Sequence, residues 1–253
     1  VVEELVRAHD VIGISRRSFS DSRYVHLSIN LAEGDVHAVT ASVKNYFNSA
    51  DVLVHLAAYV PRVRTCRRDS FTKSLATNVL GTLTILAAAR KLGIKKVVLA
   101  SSESVYGEVP GEVDETSIPA PKTYYGRSKL LAEEICKKFA SENSLQCIIL
   151  RYGSIYGPGM NCELVLAKFL NRALAGSPLY VYRHANGFEH LNLIYLKDAV
   201  AATVKAVVQD FDEAVSTVNV VSSESLTTLD LAELIKKVVS SDSEIVIVGS
   251  NAV

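Results

Sequence analysis

Three segments of this chain are unbroken runs of apolar and β-branched residues: DVLVHLAA (51–58), KKVVLASS (95–102) and LQCIILRY (145–152). A strand with one face in water alternates apolar and polar residues. These three do not, so both of their faces need covering. The cover lies between them in sequence. NVLGTLTILAAARKLG (78–93) has helical periodicity and closes on Gly93, and SKLLAEEICKKFASEN (128–143) is a strongly amphipathic helix. Upstream, VIGIS (11–15) and YVHLSI (24–29) read as strands and AVTASVKNYF (38–47) as a helix. Strands alternating with helices predict an α/β fold: a mostly parallel sheet with both faces covered and right-handed crossovers.

After Gly157-Pro158-Gly159 the pattern loosens. Helices are predicted over 163–176, 197–210 and 226–240, and short strands over 179–182, 190–196, 217–221 and 244–248. The predicted organisation is a parallel-sheet α/β region over 1–157 and a small substrate-facing lobe over 158–253, interleaved with late sheet strands. No repeat or low-complexity segment interrupts it.

Composition narrows the function classes. The chain has 253 residues, 49% of them hydrophobic, enough for a large core. Lys+Arg and Asp+Glu are 27 each, so bulk charge gives no argument for nucleic acid. Cys66, Cys136, Cys147 and Cys162 are far apart, which fits neither a zinc site nor a disulfide framework. No apolar run reaches membrane-spanning length, and no signal-peptide pattern is present. The expectation is a cytoplasmic protein with a small-molecule substrate, and without nucleic-acid, membrane or metal partners. Val1 is not an initiating methionine.

In open parallel sheets, ligands bind beyond the carboxyl ends of the strands. SSESVYG (101–107) follows one such strand, and YYGRSK (124–129) enters a helix. Tyr125 and Lys129 are four apart, hence on one helical face. An ammonium near a phenol favours the phenolate, and a phenol poised nearer neutrality can exchange a proton with a carbinol oxygen. Ser102 can hold that same oxygen. A Tyr-Lys pair at this spacing is common by chance. Its position, about twenty residues after a strand ending in Ser-Ser, is not.

Several pieces in order, HLAA (55–58), NVLGTLTIL (78–86), VVLASSESVYG (97–107), YYGRSKLLAEE (124–134), RYGSIYGPG (151–159) and LNLIYLKDAV (191–200), resemble the extended short-chain dehydrogenase/reductase family. Within it the chain is most similar to the NAD-dependent epimerase/dehydratase branch acting on nucleotide sugars, of the UDP-glucose 4-epimerase type. The resemblance implies a Rossmann-type doubly wound sheet, a bound NAD or NADP, and a nucleotide-sugar substrate. It implies that Tyr125 is the acid/base, that Lys129 lowers its pKa and binds the nicotinamide ribose, and that Ser102 positions the reacting oxygen. Ser104 is implied at the substrate. Leu56, Ala57 and Ala58 line the dinucleotide, Asn78 faces the site, Asn30 and Leu31 bracket the adenine, and Tyr152 and Ile155 contact the nicotinamide. A homodimer through helices 78–93 and 128–143 is implied, their apolar surface including Leu80, Leu83, Ile85, Leu86, Leu130, Leu131 and Ile135. The family also places a strand and a Gly-x-x-Gly-x-x-Gly turn just before the helix that VVEELVRAHD continues. The expectation is that this half-unit, and a C-terminal portion, lie outside the 253 residues.

The chain departs from the family's pattern at three places. NAD-using members end the second strand in a carboxylate for the ribose 2′-hydroxyl, and here that place is Ser15, followed by Arg16 and Arg17. An arginine there can pair with a 2′-phosphate, favouring NADP, or simply form a solvated turn. The usual substrate Asn is Ser154, and the usual diphosphate-binding arginine is missing, with His190 as a substitute. Arg62, Arg64, Arg67 and Arg68 form either an anion-facing loop or a solvated face. Glu103 follows Ser102 without the Asp of dehydratases. The leading function is a nucleotide-sugar 4-epimerase. The alternatives are a sugar or carbonyl reductase using NADP, a nucleotide-sugar dehydratase, and a degenerate non-catalytic protein; retention of Ser102, Tyr125 and Lys129 together argues against the last.

Overall fold

The computed structural model describes residues 1–18, 20–46, 49–61, 68–109 and 111–249. In chain order the main elements are α1 (Val2–Leu5), β1 (Ile12–Ser15), β2 (Val25–Ser28), α2 (Val36–Lys44), β3 (Val52–His55), α3 (Arg68–Ser74), α4 (Gly81–Lys91), β4 (Lys96–Ser102), α5 (Tyr124–Asn143), β5 (Gln146–Tyr152), β6 (Ser154–Tyr156), α6 (Val165–Leu174), β7 (Leu179–His184), β8 (Gly187–Phe188), β9 (His190–Leu191), β10 (Leu193–Tyr195), α7 (Leu196–Val208), β11 (Val215–Val220), β12 (Leu226–Thr227), α8 (Thr228–Val238) and β13 (Ile245–Gly249). They divide into two compact units. One holds Val1–Tyr152 with Val200–Val220; the other holds Gly153–Ala199 and the chain from Val221.

The first unit is built on a parallel sheet of order β11-β5-β4-β3, with β1 and β2 forming a separate parallel ladder. This is the Rossmann-type sheet. Two of the unbroken apolar runs are its central strands, β4 and β5, and the third is β3 at its end; Val97, Val98, Leu99, Ile148 and Ile149 have no exposed surface. Each such side chain contributes about 1.5–3 kcal/mol by its burial. Small residues let the helices approach: Ala132, Cys136 and Ala140 of α5 meet Leu86, Val97, Leu99, Cys147 and Ile149 in one core cluster. Neighbouring residues of β5 reach different helices. Arg151 bonds Glu133 on α5, while the Tyr152 hydroxyl meets Thr203 Oγ1 on α7 at 2.6 Å. Lys96, at the foot of β4, donates to the carbonyls of Val207 (3.0 Å) and Gln209 (2.5 Å), where the α7 carbonyls lack helical partners.

The second unit packs α6 and α8 against the sheet β13-β7-β8, with Phe169, Leu179, Val181 and Leu231 at its centre. Thr227 and Asp230 close a capping box on α8. Beside it, β6 pairs with β10 and β9 with β12.

Several boundaries differ from the periodicity reading. The strand expected over 51–58 ends at His55, and Leu56 and Ala57 are exposed chain. The strand expected over 190–196 breaks at Asn192, whose carbonyl accepts the Ser154 amide at 2.8 Å, so its halves pair with different partners. Helix α5 starts four residues earlier than expected because the Thr123 hydroxyl accepts the Gly126 amide at 3.0 Å. Ahead of α4, Leu75–Leu80 forms a π-helical segment, a wider turn that a 3.6-residue period does not reveal. Among the described residues no helix is long and apolar enough to cross a membrane, and no cluster of His, Cys, Asp and Glu is arranged for a metal.

Gly126 is where α5 comes closest to the loop after β4: a Cβ there would be driven into the Ser104 carbonyl. Gly126→Ala is expected to cost about 1–3 kcal/mol of stability, read as a fall in the denaturant midpoint. An unchanged midpoint would contradict this packing.

Candidate active site

Strands β4 and β5 end side by side, with Ser101 opposite Arg151 and Ser102 opposite Tyr152. From β4 the chain turns into a short 3-10 helix over Glu103–Val105, which Ser102 caps: its Oγ accepts the Ser104 amide at 3.2 Å and lies 3.0 Å from Ser104 Oγ. Helix α5 enters at the same place, bringing the Tyr125 phenol close enough for the Ser102 hydroxyl to act on it. One turn further on, Lys129 is buried, 3% exposed. The structure thus brings Ser102, Ser104, Tyr125 and Lys129 to one strand end, as the spacing suggested.

Burial dominates the electrostatics. It pushes the Tyr125 phenol above its usual range, against the opposing hydrogen bond from Ser102. The expected downward push by Lys129 is therefore not the prevailing influence here: desolvating the phenolate outweighs it. Burial also lowers the Lys129 ammonium to about 8, with Glu133 and then Cys136 acting the other way. His55, at the end of β3, is pushed down to about 3, by burial first and by the Lys129 charge second. Its tautomer follows from its neighbours. The Thr82 hydroxyl donates to the Asn78 carbonyl at 2.6 Å, so His55 Nε2 carries the proton and donates to Thr82 Oγ1 at 3.0 Å.

Other expected site residues turn inward. Asn78, in the π-helical segment, accepts the Tyr59 amide at 2.6 Å and donates to the Tyr59 carbonyl (3.1 Å) and Ser128 Oγ (2.9 Å). Its amide thus pins the chain after β3 to α5 and does not face outward. Tyr152, expected at the nicotinamide, is 8% exposed with its hydroxyl on Thr203. Asn30 caps the 3-10 turn Leu31–Glu33, accepting the Ala32 amide and donating to Glu33, and the Leu31 side chain packs with Val39, Ile85 and Ala88. At the end of β1, Ser15 Oγ donates to the Arg17 carbonyl at 2.8 Å and lies 3.0 Å from His26 Nε2; Arg16 and Arg17 are exposed. In the second unit, Ile155 is exposed on β6 next to Ser154, and His190 Nδ1 lies 3.3 Å from Ser225 Oγ. Arg62, Arg64 and Arg67 lie outside the described residues, and Arg68 opens α3.

Sequence reasoning missed a group behind these residues. Glu133, with no exposed surface, receives Arg151 Nε at 3.0 Å and Nη2 at 2.7 Å and also the Ser101 hydroxyl. Arg151 Nη1 donates to the Tyr106 hydroxyl at 2.8 Å, and that hydroxyl donates to Asn219 Oδ1 at 2.7 Å. The signal was available: Glu133 continues the buried stripe of Tyr125 and Lys129 by one more turn.

The model of the NAD dependent epimerase/dehydratase family matches residues 1–221. The chain belongs to this family. Two curated members illustrate the relation. The uncharacterized UDP-glucose epimerase YtcB of Bacillus subtilis is 27% identical over 93% of this chain and 77% of its own length. A UDP-N-acetyl-alpha-D-glucosaminuronate decarboxylase of Bacillus cytotoxicus is 32% identical over 97% of this chain and 78% of its own. Among solved structures, UDP-glucuronic acid 4-epimerase from Bacillus cereus, in complex with UDP-glucuronic acid and NAD, superposes with a TM-score of 0.84 at 24% identity, covering 98% of this chain and 81% of that one. At that identity the likeness speaks to the fold.

The family's dinucleotide has a fitting partner here. Among the described residues no hydrogen bond or ion pair engages Lys129, whose ammonium is a cation suited to ribose hydroxyls. Leu56 and Ala57 are exposed at the carboxyl end of β3, where the sheet rule places a ligand.

His55 carries a stability prediction. Its pKa falls from 6.5 to about 3 on folding, so the unfolded chain binds the extra proton between those values and stability drops as pH falls through that window. The thermal midpoint is expected to decline between pH 7 and pH 5, and to decline less in His55→Gln. Equal slopes would rule out this role for His55.

Proposed function

We propose that the protein is a nucleotide-sugar 4-epimerase that uses a nicotinamide dinucleotide, with Ser102, Tyr125 and Lys129 as its catalytic residues. The observation that carries this reading is the convergence at the carboxyl end of β4 of Ser102, whose hydroxyl bears on the Tyr125 phenol, with Lys129 one turn behind Tyr125 on α5. When bound, the dinucleotide supplies the hydride acceptor and donor.

The chain's own residues supply the rest. Ser102 holds the oxygen of the reacting carbinol where Tyr125 can reach it. Tyr125 takes the hydroxyl proton as the carbon is oxidised and returns it as the carbon is reduced. Burial keeps the resting phenol protonated, so the phenolate must form only when a positive partner is close. Lys129 is that partner, and its ammonium also meets the ribose. Asn78 acts indirectly, by fixing the backbone at Tyr59. Leu56, Ala57 and Ala58 line the dinucleotide and Ser104 serves the substrate; within the second unit, Ser154 and His190 are the residues we assign to substrate. That unit also contains a cavity of about 500 Å³ lined by Tyr156, Met160, Leu166, Leu170 and Tyr195. Leu80, Leu83 and Leu131, 41–46% exposed, are the apolar positions we assign to a homodimer face; Ile85 and Leu86 belong to the core.

This reading is supported by YtcB, whose name is that of a UDP-glucose epimerase, and by the Bacillus cereus 4-epimerase bound to NAD. Purified protein is expected to interconvert UDP-glucose and UDP-galactose, followed by chromatography of the nucleotide sugars. Tyr125→Phe is expected to lower kcat by about 10²–10⁴-fold with little change in the melting temperature. Near-normal turnover in that variant would refute the assignment.

A second reading of the cofactor rests on the end of β1. Ser15 stands there in place of a carboxylate, its hydroxyl donated to the Arg17 carbonyl, beside the exposed Arg16 and Arg17. If these arginines take a 2′-phosphate, NADP binds more tightly than NAD, and Arg16→Ala with Arg17→Ala weakens NADP about tenfold or more while sparing NAD. Fluorescence titration of both reduced dinucleotides decides it: tighter NAD binding in the parent protein eliminates the NADP reading.

A further inference from the structure

The buried Glu133–Arg151 pair lies one turn beyond Lys129, in a place where stability alone gives it little reason to exist. Taking both charges out of water costs several kcal/mol per ion, and apolar replacements of such pairs are often neutral or stabilising. Yet the pair is fully built. Glu133 is 0% and Arg151 3% exposed by side chain, joined at 2.7 Å. The second guanidinium contact, 3.0 Å to Oε1, makes it bidentate, and the Ser101 hydroxyl adds a third donor. Arg151 is in turn held by the Tyr106 hydroxyl at 2.8 Å and by that ring, 4.7 Å from its guanidinium carbon.

The placement suggests what the pair does. Tyr125, Lys129 and Glu133 are spaced four and four along α5, so they share one face of the helix. Glu133 is tied to β4 at Ser101, the residue before Ser102, and to β5 at Arg151. One carboxylate therefore connects the helix that carries Tyr125 and Lys129 to the strand that carries Ser102.

We propose that Glu133 is the positioning residue of this site, holding the Lys129 ammonium as a cation and fixing α5 against the Ser102 end of β4. The inference rests on the reading of Tyr125 and Lys129 given above. The groups that act on the ammonium are few. Glu133 and Cys136 on its own helix oppose the effect of burial, and His55 from β3 stays neutral beside it. Cys147 of β5 meets Cys136, whose thiol is pushed upward by that contact and by burial. Tyr125 stays protonated, and Arg151 meets the carboxylate. The anion facing Lys129 is then Glu133, and an opposite charge so placed favours the charged form.

The test reads Lys129 directly, without turnover. The Nζ resonance of ¹⁵N-lysine-labelled protein is titrated by NMR and assigned by its loss in Lys129→Met. In the parent protein the midpoint is expected near 8. In Glu133→Gln it is expected to fall by about one unit or more. Glu133→Asp keeps the charge and is expected to restore most of the difference. If Glu133→Gln leaves too much unpaired charge to fold, the double variant Glu133→Gln with Arg151→Met removes both charges and is expected to show a downward shift that is smaller, because the Arg151 cation is lost as well. A Lys129 midpoint that stays put in a folded variant lacking the Glu133 charge overturns the proposal. A parent protein that titrates as expected yet converts no UDP-sugar would instead fault the epimerase reading, so the two failures are separable.

Discussion

The ion pair of Glu133 with Arg151 is the interaction on which the candidate site depends. It is the polar contact that locks helix α5 to the ends of β4 and β5 inside an otherwise apolar layer of Ala132, Cys136, Leu99 and Ile149. A helix packed only by small and aliphatic residues can slide or rotate at modest cost. A bidentate guanidinium–carboxylate contact cannot, because its fork geometry fixes distance and angle together. The register of Tyr125 against Ser102 follows from that lock and from the close approach of Gly126 to Ser104.

The same burial that makes the lock necessary sets the charge state of every other group nearby. Low polarity raises Tyr125, lowers Lys129 and lowers His55, each toward its neutral form. Three neutral groups would make a poor proton-transfer site. The arrangement counters this at one point, where a carboxylate faces the lysine. His55, neutral, donates its Nε2–H to Thr82 Oγ1 and adds no second cation. The site therefore holds the Lys129 cation, without a hydrogen-bond partner among the described residues, beside a phenol on which the Ser102 hydroxyl bears. That combination suits a ligand bearing ribose hydroxyls and a substrate bearing a secondary alcohol.

Much of this was legible in the sequence, and the reason is local. Unbroken apolar runs identify β4 and β5, and a Tyr-Lys spacing of four on a capped helix places two side chains on one face whatever the rest of the fold does. What escaped depends on partners distant in sequence. Nothing near Asn78 shows that its amide will be engaged by Tyr59 and Ser128, and nothing near Tyr152 shows that its hydroxyl will find Thr203. Family position suggested ligand contacts for both, and the structure adds these internal hydrogen bonds, which no local pattern announces. Asn30 has the same lesson at shorter range, since an Asn before a 3-10 turn is as apt to cap it as to hold a ligand. Glu133 is the opposite case. Helical arithmetic places it on the buried face, and a buried carboxylate demands a cation, but the cation that answers it lies on a strand beyond the end of the helix.

The central claim is that one sugar carbon is oxidised and reduced again at the Ser102–Tyr125 pair. The most direct measurement is the fate of the hydrogen on that carbon. UDP-glucose carrying deuterium at C4 should yield UDP-galactose that keeps the deuterium at C4, because hydride leaves and returns without meeting water. Product that has lost the label to solvent would contradict the account.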